Sequence, residues 1–192
     1  MLSALCAITL LCLMPASRAA PLACEDSAWP PESMDPRHLV GTWALVAGSL
    51  SHLPLLERFK QRDSAYVNFS NSTGDAAISY SRSIRQDGTC LYRSFNVSLA
   101  GGRFTYEGTP PSNLTTNFVR TSCPDCMLMH MNVESGKRQH LYLFSRRREV
   151  EQKEIEEFRA QVECLHMPPP VVMDPTKELC PEYSGHQTDT KT

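Results

Sequence analysis

The stretch Leu39-Val40-Gly41-Thr42-Trp43-Ala44-Leu45-Val46-Ala47 decides how this chain reads. A glycine two residues before a tryptophan opens a short, strongly apolar segment of strand type. Glycine lets the backbone bend tightly and lets another segment approach it closely. Tryptophan is a large plug that costs little entropy to order. The pair suits the entry to a barrel whose floor is closed by one bulky side chain. Taken alone it equally describes a core tryptophan at a strand start, so the segments around it have to decide.

Outward from that first strand, read at about 42–50, the pattern is regular. Pro54-Leu55-Leu56-Glu57-Arg58-Phe59 reads as a short helical turn or lid with proline in its first turn. Alternating segments then predict strands at about 64–70, 75–84, 89–99, 103–107, 113–121, 126–133 and 138–145. Turn signals such as Asp87-Gly88, Gly101-Gly102 and Ser135-Gly136 separate them. Eight evenly spaced strands suggest a sandwich or an up-and-down barrel. At 149–163 the period changes: Ile155, Phe158, Val162 and Leu165 recur at helical intervals. Such a helix has to lay its apolar side on something, and the outer wall of the sheet is the available surface. Residues 24–38, with Pro30, Pro31 and Pro36, read as an irregular lead-in, and 167–192 as an irregular tail.

The N-terminus and the cysteines speak to compartment. Leu2 to Met14 is apolar, and Pro15 with Ser17-Arg18-Ala19-Ala20 supplies a break and small residues. Residues 1–19 therefore read as a secretory signal peptide and 20–192 as one domain. No segment is long enough to predict a transmembrane span. Six cysteines remain after the leader: Cys24, Cys90, Cys123, Cys126, Cys164 and Cys180. An even number in an exported chain argues for disulfides, without choosing among pairings. Asn68, Asn71, Asn96 and Asn113 stand in Asn-x-Ser/Thr triplets, four of the six asparagines, which reads as a secreted glycoprotein. The net charge of −2 gives no electrostatic case for nucleic acid. Arg146-Arg147-Arg148 reads as a solvated junction ahead of the helix.

Glycan sites orient strands, because a glycosylated asparagine faces solvent and side chains alternate. With Asn96 outward, Leu91, Arg93, Phe95, Val97 and Leu99 face inward; with Asn68 outward, Val67 and Phe69 do. With Asn113 outward, Leu114, Thr116 and Phe118 do. Met127, Met129 and Met131 share one face of one strand; methionine suits both a pliable pocket and plain core filling. Arg93 stands out, since an inward charge needs a partner, either an acidic ligand group or an internal acceptor.

Enzyme signatures are missing. No nucleophile elbow, zinc-protease motif, phosphate loop or dinucleotide fingerprint occurs, and no cofactor is expected. Cys123-Pro124-Asp125-Cys126 sits between two strands, unlike a redox Cys-x-x-Cys, and reads as structural. Zinc there would need further ligands, with His130 and His140 as candidates; no metal site is expected. A barrel-thiol enzyme is the cross-class alternative, with Cys90 as its inward thiol.

These features together resemble the lipocalins, and within them the branch of α1-acid glycoprotein (orosomucoid), apolipoprotein M and the fish proteins that bind saxitoxin and tetrodotoxin. The residues carrying the resemblance are Gly41-x-Trp43, Arg85-Gln86-Asp87-Gly88-Thr89-Cys90-Leu91-Tyr92, Ser122-Cys123-Pro124, Glu157-Phe158-Arg159 and the Cys164 to Cys180 spacing. The resemblance implies an all-β, eight-stranded antiparallel barrel with one C-terminal helix outside. It implies a floor of Gly41 and Trp43 under an arginine, Arg146 or Arg147, and disulfides Cys24–Cys164 and Cys90–Cys180. Apolipoprotein M has a third disulfide from the position of Cys123 to the helix. Glu154 occupies that helix position here, which leaves Cys126 as the natural partner. Arg93 and Phe95 match head-group residues of apolipoprotein M, whereas Pro111 and Met131 replace an arginine and a glutamate. The implied function is secreted transport of small hydrophobic or amphipathic ligands such as a lipid, steroid, drug-like molecule or toxin. Lipoprotein carriage and alkaloid scavenging are the alternatives. The expected ligand contacts are Arg93, Phe95, Val97, Val67, Phe69, Leu114, Phe118, Met127, Met129 and Met131.

Overall fold

The computed structural model describes residues 36–71, 77–106 and 113–182. The expected leader, Cys24 and most of the lead-in lie outside them, as does the side chain of Asn71. A short helix α1 (Pro36–Leu39) leads into β1 (Gly41–Leu50), α2 (Leu53–Lys60) and β2 (Arg62–Asn71). Then come β3 (Ala77–Gln86), β4 (Thr89–Ala100), β5 (Arg103–Tyr106), β6 (Thr115–Val119), β7 (Cys126–Val133) and β8 (Arg138–Ser145). Helix α3 (Gln152–Cys164) and a two-residue β9 (Val171–Val172) follow. Each strand from β2 to β8 pairs antiparallel with the next, and β1 pairs with both β8 and β2. The eight strands thus close into an all-β, up-and-down barrel.

β1 is the seam, and a bulge makes it work. Its register against β8 shifts between Leu45 and Ala47. Before the shift, Trp43 and Leu45 face the barrel interior. After it, Val46 and Ala47 both belong to the outer cluster with Leu128, Leu141, Leu143, Ile155, Phe158 and Val162. A bulge puts two successive residues opposite one partner, so alternation is reset at that point. Helix α3 packs its apolar stripe on this outer patch, where Phe158 and Val162 are almost fully buried. The tail, expected to be irregular, adds β9 along the outer half of β1, at Ala47↔Val172 and Gly48↔Val171. A two-residue strand has no period to read in sequence.

At the floor, Trp43 Nε1 donates to the Leu39 carbonyl at 2.8 Å. The Arg146 guanidinium lies 3.7 Å from the Trp43 ring centroid and donates to the carbonyls of Thr42, Val40 and His38. Gly41 adopts φ +102°, and a Cβ there would stand 2.8 Å from Arg146 Nη1, so the glycine serves both the turn and the close approach.

The arginine run is therefore not a solvated junction. Arg147 pairs with Asp125 at 2.6 Å and with the buried Glu154 at 3.0 Å, while Arg148 donates to the Lys177 carbonyl. Using these three residues as clamps holds them out of the helix, which starts at Gln152 with a Glu151/Glu154 capping box. Cys123 and Cys126 form a disulfide beside Arg147, and Cys90 bonds Cys180. The tail to Pro181 crosses the outer face of β2–β4: Ser64 donates to the Glu178 carbonyl, and Tyr66 and Tyr92 to that of Pro181. Cys164 is a half-cystine.

A Cβ on Gly48 would meet Phe59 Cζ at 2.6 Å and Tyr142 Cδ1 at 2.8 Å. Gly48→Ala is expected to cost about 1–3 kcal/mol through overpacking, measured by urea unfolding, with Phe59→Leu in the same chain recovering part of it. Cys90→Ser with Cys180→Ser is expected to cost about 2–4 kcal/mol. It should also release the tail to limited proteolysis before the barrel itself unfolds.

Candidate functional site

Strand alternation packs the lower barrel with apolar side chains. Phe69, Val97, Phe104, Phe118 and Met129 are almost inaccessible and form one interior cluster with Trp43, Val67, Tyr80 and Met127. Phe69 stacks on Tyr80 at 5.2 Å, and Phe104 meets Phe118 edge-on at 4.8 Å. Above this plug, a cavity of about 410 Å³ opens toward α2 and the β3–β4 and β7–β8 turns. A smaller void of about 40 Å³ shares Arg62, Tyr80, Arg82, Ile84, Met131 and Tyr142 with it and reaches down to Val67 and Met129. Helix α2 acts as a partial lid, with Leu56 and Phe59 buried beneath it.

The cavity wall is aromatic and cationic. Tyr80, Phe95, Tyr106 and Tyr142 line it together with Leu50, Leu55, Leu114 and Met131. Arg58, Arg62, Arg82 and His140 supply its charge or titratable groups, and among the described residues no Asp or Glu lines it. Arg62 lies over the Phe59 ring at 4.8 Å, and Arg82 over Phe95 at 5.8 Å. A guanidinium stacked by its face keeps its N–H edge for a further acceptor. No described carboxylate pairs with either. Burial holds the Arg62 pKa below the usual arginine value, and the neighbouring Tyr142 opposes that shift. Burial, with Arg138, Arg62, Arg82 and His52 nearby, pushes the His140 imidazole down to about 4. Burial likewise holds the Tyr80, Tyr106 and Tyr142 hydroxyls above their ordinary values, so they stay protonated donors.

Of the residues read as ligand contacts, Phe95, Leu114 and Met131 line the large cavity, and Val67 and Met129 line the small void. Phe69, Val97, Phe118 and Met127 are interior packing below it. Arg93 differs most from expectation. It pairs across from the inward Arg82 but is exposed and is not part of the cavity wall. Arg93 lies on the part of β4 before Val97, beyond the described pairing of β4 with β5, which covers Val97 to Ala100. Leu91 there is 58% exposed.

The arginines that do line the cavity differ in how legible they are. Counting back from Asn68 puts Arg62 outside, but a register shift between Arg62 and Ser64 turns it inward. Arg82 was legible: it continues the alternation Ile78, Tyr80, Arg82, Ile84. Asn96 and Asn113 are exposed and Asn68 half-buried on the outer face.

Neither the thiol nor the zinc reading has its residues in place. Cys90 is opposite Arg85, which reaches the outer tail at Glu178, so its parity is outward, and it is bonded to Cys180. His130 faces outward to Gln139, while His140 faces the cavity. Cys123, Cys126, Asp125 and Glu154 do cluster within 4.8 Å, but the sulfurs are joined and Arg147 occupies both carboxylates.

A family model described as the ApoM domain matches residues 31–182. Comparison with curated proteins finds no match. Among solved structures, the siderocalin Ex-FABP, described as functioning through dual ligand specificities, superposes with a TM-score of 0.60 at 16% identity, over 71% of this chain and 93% of that one. At that identity the likeness is one of fold. The closed barrel on a Trp43 floor, the helix on its outer wall and a family match running through both make this chain a member of the ApoM family of lipocalins.

Proposed function

We propose that this lipocalin carries an amphipathic small molecule with an acidic head, held head-up in the upper barrel. Membership of the family supports binding of a small hydrophobic ligand. The observation that carries the finer reading is the pair Arg62 and Arg82, facing an aromatic cavity without a described carboxylate. An apolar ligand body gains by leaving water, at roughly 25 cal/mol per Å² before the costs of ordering. An acidic head gains charge-assisted hydrogen bonds from the two guanidinium edges. A cationic alkaloid would meet like charge, so this cavity argues against a toxin scavenger of that kind. Leader, sequons and disulfides support a secreted glycoprotein, and transport in plasma, with or without lipoprotein particles, is the setting we infer.

The test compares 1-anilinonaphthalene-8-sulfonate with its uncharged parent N-phenyl-1-naphthylamine by fluorescence titration. The sulfonate is expected to bind more tightly. Arg62→Met and Arg82→Met should each weaken it by about 10–100-fold, the worth of a hydrogen bond to a charged group. The uncharged parent should change by less than about threefold, and Arg93→Ala should leave the sulfonate within about threefold. Equal losses for both probes, or no preference at the outset, would sink the reading.

A further inference from the structure

Among the described residues lining the large cavity, one buried polar side-chain atom has no hydrogen-bond partner. His140 lies on the inward face of β8, opposite Met131 of β7, in the series His140, Tyr142, Phe144. Its Nδ1 is 3.3 Å from the Tyr142 hydroxyl, while Nε2 is buried without any hydrogen-bond partner. A buried polar atom left unpaired is costly and calls for an explanation. We propose that His140 is the third contact of the acidic head: as the anion arrives, the imidazole takes up a proton from solvent and Nε2 donates to the ligand. This rests on the acidic-head reading above and adds to it a proton-coupled binding step.

The surroundings explain why the proton waits for the ligand. The groups facing His140 are Arg62 from β2, Arg82 from β3, Arg138 and Tyr142 from β8, and His52 before α2. Arg58 from α2 and Tyr106 from β5 share the cavity. All are cationic, titrate toward a cation or are neutral, and Glu134 is bound to Arg138. In the empty cavity an imidazolium would be surrounded by like charge and short of water, so the ring stays neutral down to about pH 4. An anion placed among the arginines reverses the local sign. Both ring N–H groups then have acceptors: the Tyr142 oxygen for Nδ1 and the ligand for Nε2.

The linkage has a definite sign. Unfolded, the ring titrates near 6.5; folded and empty, near 4. It therefore supports the empty fold fully above pH 6.5, and that support is lost as pH falls toward 4. Ligand binding works the other way, because the bound ring holds the proton at higher pH than the free one. Affinity for a permanent anion must rise as pH falls, by at most about tenfold per pH unit.

The probe is again the naphthalene sulfonate, whose charge does not titrate in this range. Calorimetric titration at pH 6 in two buffers of different ionisation heat should show net proton uptake in the native protein. Affinity should rise between pH 8 and pH 5, and the uncharged parent should show neither effect. His140→Gln should abolish both the uptake and the rise. Equal uptake and equal pH profiles in native and His140→Gln protein would overturn the proposal while leaving the arginine reading intact. Absence of any sulfonate preference at pH 8, where His140 is neutral, removes the acidic-head reading and this step with it. Imidazole NMR of the native protein gives an independent answer should the variant misfold: a His140 titration unmoved by saturating sulfonate overturns the proposal.

Discussion

A barrel needs one strand that pairs with both ends of the sheet, and here that strand, β1, must be kept dry on both faces. Nine of its ten positions are half-buried or buried. Its first half pairs with β2 on one side, and its second half is left by β2 and taken up by β9. The inner face is sealed by Trp43 and the aromatic plug, the outer by α3 and the tail. The Leu45–Ala47 shift lets one strand present its apolar residues to two cores in turn. Arg146 then ties the strand's entry to α1 and to the Trp43 ring. The floor is thus a consequence of closing the barrel, and the space left for a ligand lies above it.

Much of this was legible in the residues. Strand starts and ends at β4, β7 and β8 follow alternation and turn chemistry, and the helical period of α3 is unambiguous. Resemblance supplied the Cys90–Cys180 pair and the role of Cys126 once Glu154 stood where a helix cysteine belongs. What escaped reading has identifiable physical causes. Alternation is a local rule, and each bulge resets it. Arg62 sits behind such a reset, so counting from Asn68 sends it to the wrong face. Arg93 shares the parity of Phe95 yet is exposed, because parity reports a face and not the depth at which a residue sits. The arginine run looked like solvent-facing charge because its acceptors, the backbone at 38–42, Asp125, Glu154 and the Lys177 carbonyl, are brought there only by the fold.

The same separation of height divides packing from recognition. Of the three methionines on one face of β7, Met127 belongs to the interior plug, Met129 lines the lower void and Met131 the open cavity. Their opposite numbers on β8 are Phe144, Tyr142 and His140, so the wall grows more polar toward the mouth. This gradient is what the proposed amphipathic ligand would follow, with its apolar end toward Met129 and Val67 and its polar end toward the arginines and His140.

Two guanidinium groups and an unpaired imidazole nitrogen are unusual furnishings for an apolar wall, and the chain could have neutralised them with one inward carboxylate. The arginines instead rest on Phe59 and Phe95, which relieves part of their desolvation without cancelling their charge. Among the described residues no carboxylate matches this positive charge, an arrangement that costs stability in the free protein. Under the acidic-head reading proposed above, an entering anion offsets that cost, and the differential between empty and filled states goes into affinity and into discrimination against cations. An internal salt bridge would have made a more stable barrel and a poorer receptor for an acid.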